Sequence, residues 1–412
     1  MDRIHSLFME AVGTALKRQQ VGWDEEVSLE ELSQVLALAR EHHVLPLVFE
    51  TVHSCPAASQ LDLKTFRELQ KATALSVMTQ AAKSEEFLQL YTFLRERDLT
   101  PLVVKGLICR QLYPCPDYRH SGDEDVLCGK EAFQACHQAL VAWGMKPSQS
   151  SMDSYEVSYR KEDSALHIEL HKTLFATNSK VLSEYNHLFE HSLTHPVEVL
   201  VAGVPVATLE WSEHLLYLLL HAFKHFLHSG FGIRQVCDIV LFANAYGQQI
   251  NWPWLQDRCR ELRAEKFAAA IFRIGKEHLG FSPRQAHYPQ GWEALSVDAQ
   301  PLLEDLLQGG IYGSADRSRV HSSNMTLNAV ASSKKGKAAR KSILRTIFPD
   351  ASNLEGRFPW LGRRPWLLPV AWCCRIFVYT RETISSPAGS AAEVIRTGSR
   401  RVELLRHYDI ID

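Results

Sequence analysis

The sequence predicts an α+β fold in which a small mixed sheet with helices lies between N-terminal and C-terminal helical regions. Up to about residue 98, apolar residues recur at three- and four-residue spacing, which is the pattern of amphipathic helices. Between residues 99 and 175, short runs rich in Val, Ile and Leu alternate with turn residues, as strands do. From residue 211 onwards the helical spacing returns.

The N-terminal helical region, residues 1–98, is predicted to contain three helical segments. They cover residues 3–18, 29–53 and 63–96. Ser28, with Glu31 three residues later, fits a capping box that opens the second segment. Pro46 is expected to end or kink that helix, because proline lacks a backbone donor and its ring clashes with the preceding turn.

The second region, residues 99–208, is predicted to be a compact α+β core. The expected elements are a strand 99–104, a Lys105-Gly106 turn, a helix 107–113, a polar loop 114–122, a strand 123–128 and a helix 130–143 that ends at Gly144. Two strand-like runs, 155–160 and 165–171, are separated by four polar residues and predict a hairpin.

Residues 209–310 are predicted to form a helical domain, and 311–412 a basic linker followed by a Trp/Pro/Arg-rich region. The segment 315–342 is dominated by Ser, Lys, Arg and Ala, so we expect a loop or linker there. The basic residues clustered within 331–345 could contact phosphates of a polyanion or form a solubilising loop. The aromatic tail could stack on a base or sugar, or pack against the helical domain. The basic and aromatic residues concerned are Lys334, Lys335, Lys337, Arg340, Lys341, Arg345, Trp360, Arg363, Arg364, Trp366, Trp372 and Arg375.

Composition narrows the class of protein. The chain has 412 residues, with 45 Lys and Arg against 47 Asp and Glu, which argues against a general nucleic-acid coat protein. Its nine cysteines form no C-x-x-C pair, so free thiols are expected. The N-terminus lacks the apolar segment of a secretory signal, and no uncharged apolar run approaches the roughly 18 residues of a membrane span. We therefore expect a cytoplasmic protein without a membrane segment.

The strongest chemical signal is the run Ser121-Gly122-Asp123-Glu124-Asp125. On a strand, positions i and i+2 face the same way, so Asp123 and Asp125 are expected on one face and Glu124 on the other. Two carboxylates so placed repel each other unless a cation lies between them. Carboxylate oxygens favour magnesium or manganese. The pattern therefore predicts a divalent metal site, although a lone D-x-D is more often a solvated turn or edge strand.

A third carboxylate is expected from the run 166–171. Leu166, Ile168 and Leu170 face one side of this predicted strand. His167, Glu169 and His171 face the other side, which makes Glu169 the best candidate for a third acidic ligand.

Beyond these carboxylates, the chain resembles the nucleotidyltransferase superfamily of polymerase-beta-like fold. More closely, it is similar to an uncharacterised bacterial nucleotidyltransferase family. The likeness spans residues 99–381 and is tightest at 103–127. It rests on Lys105-Gly106, Tyr113-Pro114, Arg119, Ser121-Gly122-Asp123-Glu124-Asp125-Val126-Leu127, Glu169-Leu170-His171, His221, Lys224-His225, Gly230-Phe231-Gly232-Ile233-Arg234 and Asp238, with a looser match in the tail.

The resemblance implies roles for individual residues. Asp123 and Asp125 would ligate metal, and Glu169 would either ligate metal or draw the proton from an acceptor hydroxyl. Lys105-Gly106 takes the place of the superfamily's Gly-Ser turn, which contacts the triphosphate. The residues implied in binding the nucleotide are Lys105, Gly106, Arg119, Ser121, Gly122, Lys224, His225 and Arg234. The chain departs from the superfamily at Lys105-Gly106 and at Glu124, where an apolar residue is usual.

Two patterns near residue 225 remain open to two interpretations. His214, His221, His225 and His228 share one face of the predicted helix 211–228, which could be solvated or could line the nucleotide cleft. Arg234 and Asp238 are four residues apart, which suits either a surface ion pair or a place in the cleft.

The sequence thus predicts a nucleotidyltransferase that uses Mg²⁺ or Mn²⁺ to move a nucleoside monophosphate from a nucleoside triphosphate to an acceptor, with release of pyrophosphate. The acceptor could be a small molecule, sugar, protein or RNA, and the oligomeric state is open. Two alternatives are a catalytically silent nucleotide-binding or interaction protein and an RNA- or tRNA-directed transferase of toxin type. The complete carboxylate set favours an enzyme.

Overall fold

The computed structural model describes residues 1–24, 26–148, 152–310, 317–333, 364–372, 374 and 391–412. In these residues the predicted α+β class is confirmed: a small mixed sheet lies between helical regions. The helices before the sheet are α1 (Arg3–Leu16), α2 (Leu29–Glu41), α3 (Leu45–Val52), α4 (Pro56–Ser59) and α5 (Leu63–Arg95).

The N-terminal helices begin and end where local chemistry dictates. The predicted capping box is confirmed: the Ser28 hydroxyl accepts from the Glu31 amide, and the Ser28 amide donates to Glu31 Oε2 at 2.8 Å. The single segment predicted over 29–53 is two helices, because the chain turns at His43 with a φ of +53° and restarts with Pro46 in the first turn of α3. Helix α5 matches its predicted extent closely.

The central sheet has five strands in the order β1-β2-β5-β4-β3. Its elements, with the helices between them, are β1 (Leu102–Val104), α6 (Gly106–Arg110), β2 (Glu124–Leu127), α7 (Gly129–Ala142), β3 (Lys146–Pro147), β4 (Glu156–Arg160) and β5 (His167–His171). Strands β4 and β5 pair antiparallel, which confirms the predicted hairpin. Strand β2 pairs antiparallel with β1 and parallel with β5, with Asp125 opposite Glu169.

The second half of the chain covers the sheet with helices. A short hairpin of β6 (Val197–Val201) and β7 (Val204–Thr208) leads into the long helix α8 (Trp211–His228). Nearly all of α8 is buried, and it packs against the helices that follow. These are α9 (Ile233–Tyr246), α10 (Trp252–Glu261), α11 (Glu265–His278), α12 (Gln290–Glu293), α13 (Gln300–Gly309), α14 (Arg317–Ser333) and the helix Ala391–His407.

The loop or linker predicted over 315–342 is wrong for its first half, because Arg317–Ser333 is the helix α14. Ser and Asn are weak helix formers, but Met325, Ala329 and Val330 recur at helical spacing and are buried. The helix packs against α8 and the helix Ala391–His407, so tertiary contacts outweigh local propensity. The basic residues from Lys334 to Arg345 lie outside the described residues, as do Trp360, Arg363 and Arg375.

Two further expectations concern the chain as a whole. The described cysteines are free thiols, as expected. Among the described residues, every helix is too short or too polar to cross a membrane. The division into four regions at residues 98, 208 and 310 stays a prediction.

Candidate active site

The loop that carries the acidic motif is held from behind by helix α5. Lys83 Nζ donates to the carbonyl of Ser121 at 2.6 Å and to that of Gly122 at 3.2 Å. The Gln80 side chain accepts from the Ser121 amide at 2.8 Å. Buried backbone groups need such partners, so the N-terminal helical region fixes the position from which Asp123 enters strand β2.

Glu124 explains both departures from the superfamily pattern. Its carboxylate is fully buried. It accepts hydrogen bonds from the Arg110 guanidinium, from the Ser121 hydroxyl and, at 2.9 Å, from the Leu107 amide. A Cβ on Gly106 would lie 2.1 Å from Glu124 Oε2, so a larger residue here would force the Glu124 carboxylate out of its hydrogen bonds. Burial alone would raise the pKa of Glu124, but the charge and hydrogen bond of Arg110, together with the Lys83 and Arg119 charges, outweigh it and lower that pKa. The charge that the sequence left without a partner therefore has one.

Asp125, on the opposite face of β2, is bound by two basic side chains. Its Oδ2 lies 2.6 Å from Lys105 Nζ, and its Oδ1 lies 3.1 Å from His171 Nε2. Burial would raise the pKa of Asp125, but Lys105 and His171 together hold it well below its usual range. The Lys105 ammonium and the His171 ring thus lie at different oxygens of Asp125.

Lys105 reaches Asp125 from an unusual backbone conformation. It has a φ of +55° at the start of α6, a region that non-glycine residues rarely adopt. His214 Nε2 accepts from the Lys105 amide at 3.1 Å, and the other nitrogen of His214 lies 3.1 Å from the Thr208 hydroxyl. Such conformations persist only where the surroundings impose them, and they concentrate at functional sites.

Glu169 lies beside Asp125 across the parallel pairing of β2 and β5. Burial raises its pKa to about 7, with Asp125, Asp123 and Glu156 adding to the effect. One ligand atom from each of Asp125, Glu169 and His171 lies within 4.8 Å of the others. This is a donor set that a divalent cation would neutralise, so the residues fit a metal ion.

Seven of the predicted site residues line one open cleft. These are Lys105, Gly106, Arg119, Ser121, Asp123, Asp125 and Arg234. The cleft therefore brings together the two aspartates and three cationic side chains. Glu169, Gly122, Lys224 and His225 are outside its lining, although Glu169 adjoins it through Asp125.

The far wall of the cleft is built around Asp238 on helix α9. Arg119 donates to both oxygens of this buried carboxylate, at 2.9 and 2.6 Å, and the Tyr113 hydroxyl donates at 2.8 Å. The Arg119 Nη1 and the Arg234 Nε have no hydrogen-bond partner in the part of the chain described. Arg234 donates its Nη1 to the His120 carbonyl instead of pairing with Asp238, so the surface-pair interpretation is wrong.

The histidine face of α8 is buried, so the solvated interpretation is wrong for His214 and His221. His221 Nε2 lies 3.0 Å from Lys105 Nζ, and His225 Nε2 lies 3.2 Å from His221 Nε2. Burial, with the Lys105 charge next, holds the pKa of His221 well below its ordinary value. A neutral His221 can accept from the Lys105 ammonium. His228, at the end of the helix, is exposed.

Several residues of the site were not predicted. His171 had been placed on the face of Glu169 but given no role. Lys83 and Gln80 carry no local signal, because they reach the loop from helix α5. Leu218 and Gln235 line the cleft from helices whose orientation the sequence does not give. Of these residues, only His171 could have been identified from the sequence, through the alternation of polar and apolar residues along β5.

A sheet that sets an Asp-x-Asp strand beside a glutamate strand, facing a cationic cleft, is the arrangement expected of a nucleotidyltransferase. The comparison with protein families agrees. The family described as Uncharacterised nucleotidyltransferase matches residues 28–280, more than half of the chain, so the chain belongs to this family. No curated protein and no solved structure matches it.

Proposed function

We propose that the cleft binds a nucleoside triphosphate with Mg²⁺ or Mn²⁺ and transfers its nucleoside monophosphate to an acceptor hydroxyl, releasing pyrophosphate. One observation carries the proposal: Asp125 and Glu169 lie side by side on paired strands, and Asp123 and Asp125 share a cleft with three cationic side chains. A family of nucleotidyltransferases implies a nucleotide substrate.

Asp123, Asp125 and Glu169 would hold the metal. When bound, divalent cations neutralise the charge that develops on the α-phosphate and the leaving pyrophosphate. The two oxygens of Asp125 face different neighbours, with Lys105 on one side and His171 on the other. Its ion pair with Lys105 keeps the buried carboxylate compensated before the metal arrives.

The cationic side chains that line the cleft, Lys105, Arg119 and Arg234, bind the triphosphate. Arg119 is held rigidly by Asp238, which leaves its Nη1 as a donor for a phosphate oxygen. Arg234 and Ser121 line the same cleft. Lys105 Nζ lines the same cleft and would donate to a phosphate oxygen in the loaded site. Gly106 brings backbone close to the phosphates, and Lys224 would add positive charge from α8. Burial, with the Lys224 and Lys105 charges next, holds the pKa of His225 well below its ordinary value, so a neutral His225 would contribute only a hydrogen bond.

In the alternative role for Glu169, it would accept the proton of the acceptor hydroxyl instead of ligating metal, as the hydroxyl oxygen attacks the α-phosphorus. The new bond joins that oxygen to the phosphorus, and the bond to the pyrophosphate oxygen breaks with its electron pair leaving on pyrophosphate. In the metal-free protein, burial and the neighbouring acids raise the pKa of Glu169 to about 7, and a bound divalent cation would lower it.

One observation favours the silent alternative, a protein that binds nucleotide without transfer. Lys105 already neutralises Asp125, so the fold does not require a metal to compensate this carboxylate. An RNA-directed transferase rests on the basic cluster at 334–345, outside the described residues. The acceptor stays open between a small molecule, a sugar, a protein and RNA.

Incubation with each of the four α-labelled nucleoside triphosphates tests the proposal. Mg²⁺ or Mn²⁺ is added, with and without cell extract as a source of acceptor. We expect label transfer by the wild type and none by an Asp123→Ala/Asp125→Ala variant. Transfer that survives in that variant would refute the site, and metal-dependent nucleotide binding without transfer would favour the silent alternative. Binding of RNA that weakens with salt would favour the RNA-directed one.

A further inference from the structure

His171 sits where a metal ligand would sit, yet three carboxylates alone are enough for the proposed reaction. It is 3 % exposed, and its Nε2 lies 3.1 Å from Asp125 Oδ1 and 3.8 Å from Glu169 Oε2. A cation 2.0–2.2 Å from each of three donors sets those donors about 3–4 Å apart. The imidazole nitrogen and the two carboxylates are thus already near the spacing of a ligand set.

The other nitrogen of the ring faces another carboxylate. His171 Nδ1 makes no hydrogen bond in the described structure, and Glu156 Oε2 lies 3.5 Å from it. Glu156 is opposite His171 in the register of β4 and β5, so the strand pairing fixes this approach. A histidine that ligates metal through one nitrogen usually turns the other towards a carboxylate, which fixes its tautomer.

The two oxygens of Asp125 separate two positions for a cation. On the Oδ2 side, towards the cleft and Asp123, the Lys105 ammonium already marks one position at 2.6 Å. On the Oδ1 side lie His171 and Glu169. The first position offers only oxygen ligands from the protein, whereas the second offers two carboxylates and an imidazole nitrogen.

We propose that His171 completes, with Asp125 and Glu169, the ligand set of the cation position on the Oδ1 side of Asp125, and that its imidazole makes this position select Mn²⁺ or another first-row transition ion over Mg²⁺. The selection follows from donor chemistry, because Mg²⁺ prefers oxygen ligands whereas imidazole suits transition ions. Glu156 orients the ring from its Nδ1 side. This inference rests on the proposed function for the first position but not for the second, whose ligands stand by themselves.

Electron spin echo spectroscopy of Mn²⁺ bound to the full-length, chelator-stripped protein tests the inference. We expect nitrogen modulation from a coordinated imidazole, which changes when the protein is grown with ¹⁵N-histidine. The modulation should disappear in His171→Ala and persist in His167→Ala. His167 is the matched control, because it lies on the same face of β5, four residues earlier.

Competition with Mg²⁺ gives the second readout. A hundredfold excess of Mg²⁺ should displace Mn²⁺ that lacks nitrogen modulation and leave the nitrogen-coupled Mn²⁺ in place. If His171→Ala does not fold, isotope labelling of the wild type combined with Glu169→Gln serves instead, and Mn²⁺ affinity should fall at least tenfold. Bound Mn²⁺ without nitrogen modulation, or modulation unchanged in His171→Ala, would overturn the inference.

The outcomes separate this inference from the proposed function. Label transfer from a nucleoside triphosphate, in a wild type whose Mn²⁺ shows no nitrogen coupling, would leave the function standing and reject the second site. Nitrogen coupling that depends on His171, in a protein that neither binds nor transfers nucleotide, would keep the site and reject the function.

Discussion

Two neighbouring acidic residues on strand β2 differ in what surrounds their carboxylates. Glu124 and Asp125 are both buried on β2, and each has a basic partner. Glu124 is enclosed by Arg110, Ser121 and the start of α6, so its hydrogen bonds are complete inside the protein. Asp125 faces a cleft, shares its oxygens between Lys105 and His171, and lies against Glu169.

The difference teaches how to separate a structural carboxylate from a functional one. Burial and a salt bridge do not distinguish them, because both residues have both. What distinguishes them is the surroundings of the partner: Arg110 is 1 % exposed, whereas Lys105 is 15 % exposed and lines a cleft with a second acid. A cation that lines an open cleft can be exchanged for a metal, whereas an enclosed one cannot.

The largest expected effect is on the structural side of the strand. Glu124→Gln leaves the Arg110 charge buried without its partner, so the free energy of unfolding should fall by ~3–5 kcal/mol. Urea unfolding measures this loss. The double variant Glu124→Gln/Arg110→Met should lose less than the sum of its single changes, because the orphaned charge is gone. A loss below about 1 kcal/mol for Glu124→Gln would erase the contrast.

Glu169 gives a pH-dependent effect of opposite sign. Because its pKa is raised to about 7 in the folded protein, the native state holds a proton that the unfolded state releases near pH 4.5. Stability from this group is therefore lost as pH rises from 4.5 to 7. In protein stripped of metal by a chelator, Glu169→Gln should raise the free energy of unfolding at pH 8 by on the order of 1–3 kcal/mol and leave it unchanged at pH 4. A difference that does not vary with pH would show that Glu169 has the same pKa in the folded and unfolded states.

Asp125→Asn is expected to separate stability from metal binding. Lys105 keeps His221 as a partner, so the free energy of unfolding should fall by only about 1–2 kcal/mol. Binding of Mn²⁺, followed by the loss of the free-ion electron resonance signal, should be abolished. A stability loss as large as that of Glu124→Gln would mean that both acids are structural.

Lys105→Met tests whether the ammonium competes with the metal. Removing it leaves Asp125 without its internal cation, so Mn²⁺ should bind the nucleotide-free protein about fivefold more tightly, a change of ~1 kcal/mol. Nucleoside triphosphate affinity should fall in the same variant, because a phosphate ligand is lost. Calorimetric titration of each ligand measures both changes. Weaker Mn²⁺ binding would mean that Lys105 supports the metal site instead.

The sequence was informative where the pattern is local. The capping box of α2, the β4–β5 hairpin and the opposite faces of Glu124 and Asp125 follow from patterns over a few residues. Partners distant in the chain could not be predicted this way. Arg119 pairs with Asp238, 119 residues later, and Lys83 reaches Ser121 across 38 residues. Helix α14 was missed because its stability comes from packing rather than from its Ser- and Asn-rich composition.

The central claim is that Asp123 and Asp125 hold a nucleotide through divalent metal. Calorimetric titration of a nucleoside triphosphate into the wild type, with and without Mn²⁺, tests it most directly. The Asp123→Asn/Asp125→Asn variant is compared with Asp163→Asn, a change at an exposed hairpin residue. We predict metal-dependent binding by the wild type and Asp163→Asn, and none by the double variant. Equal binding by all three proteins, or binding that does not need metal, would contradict the account.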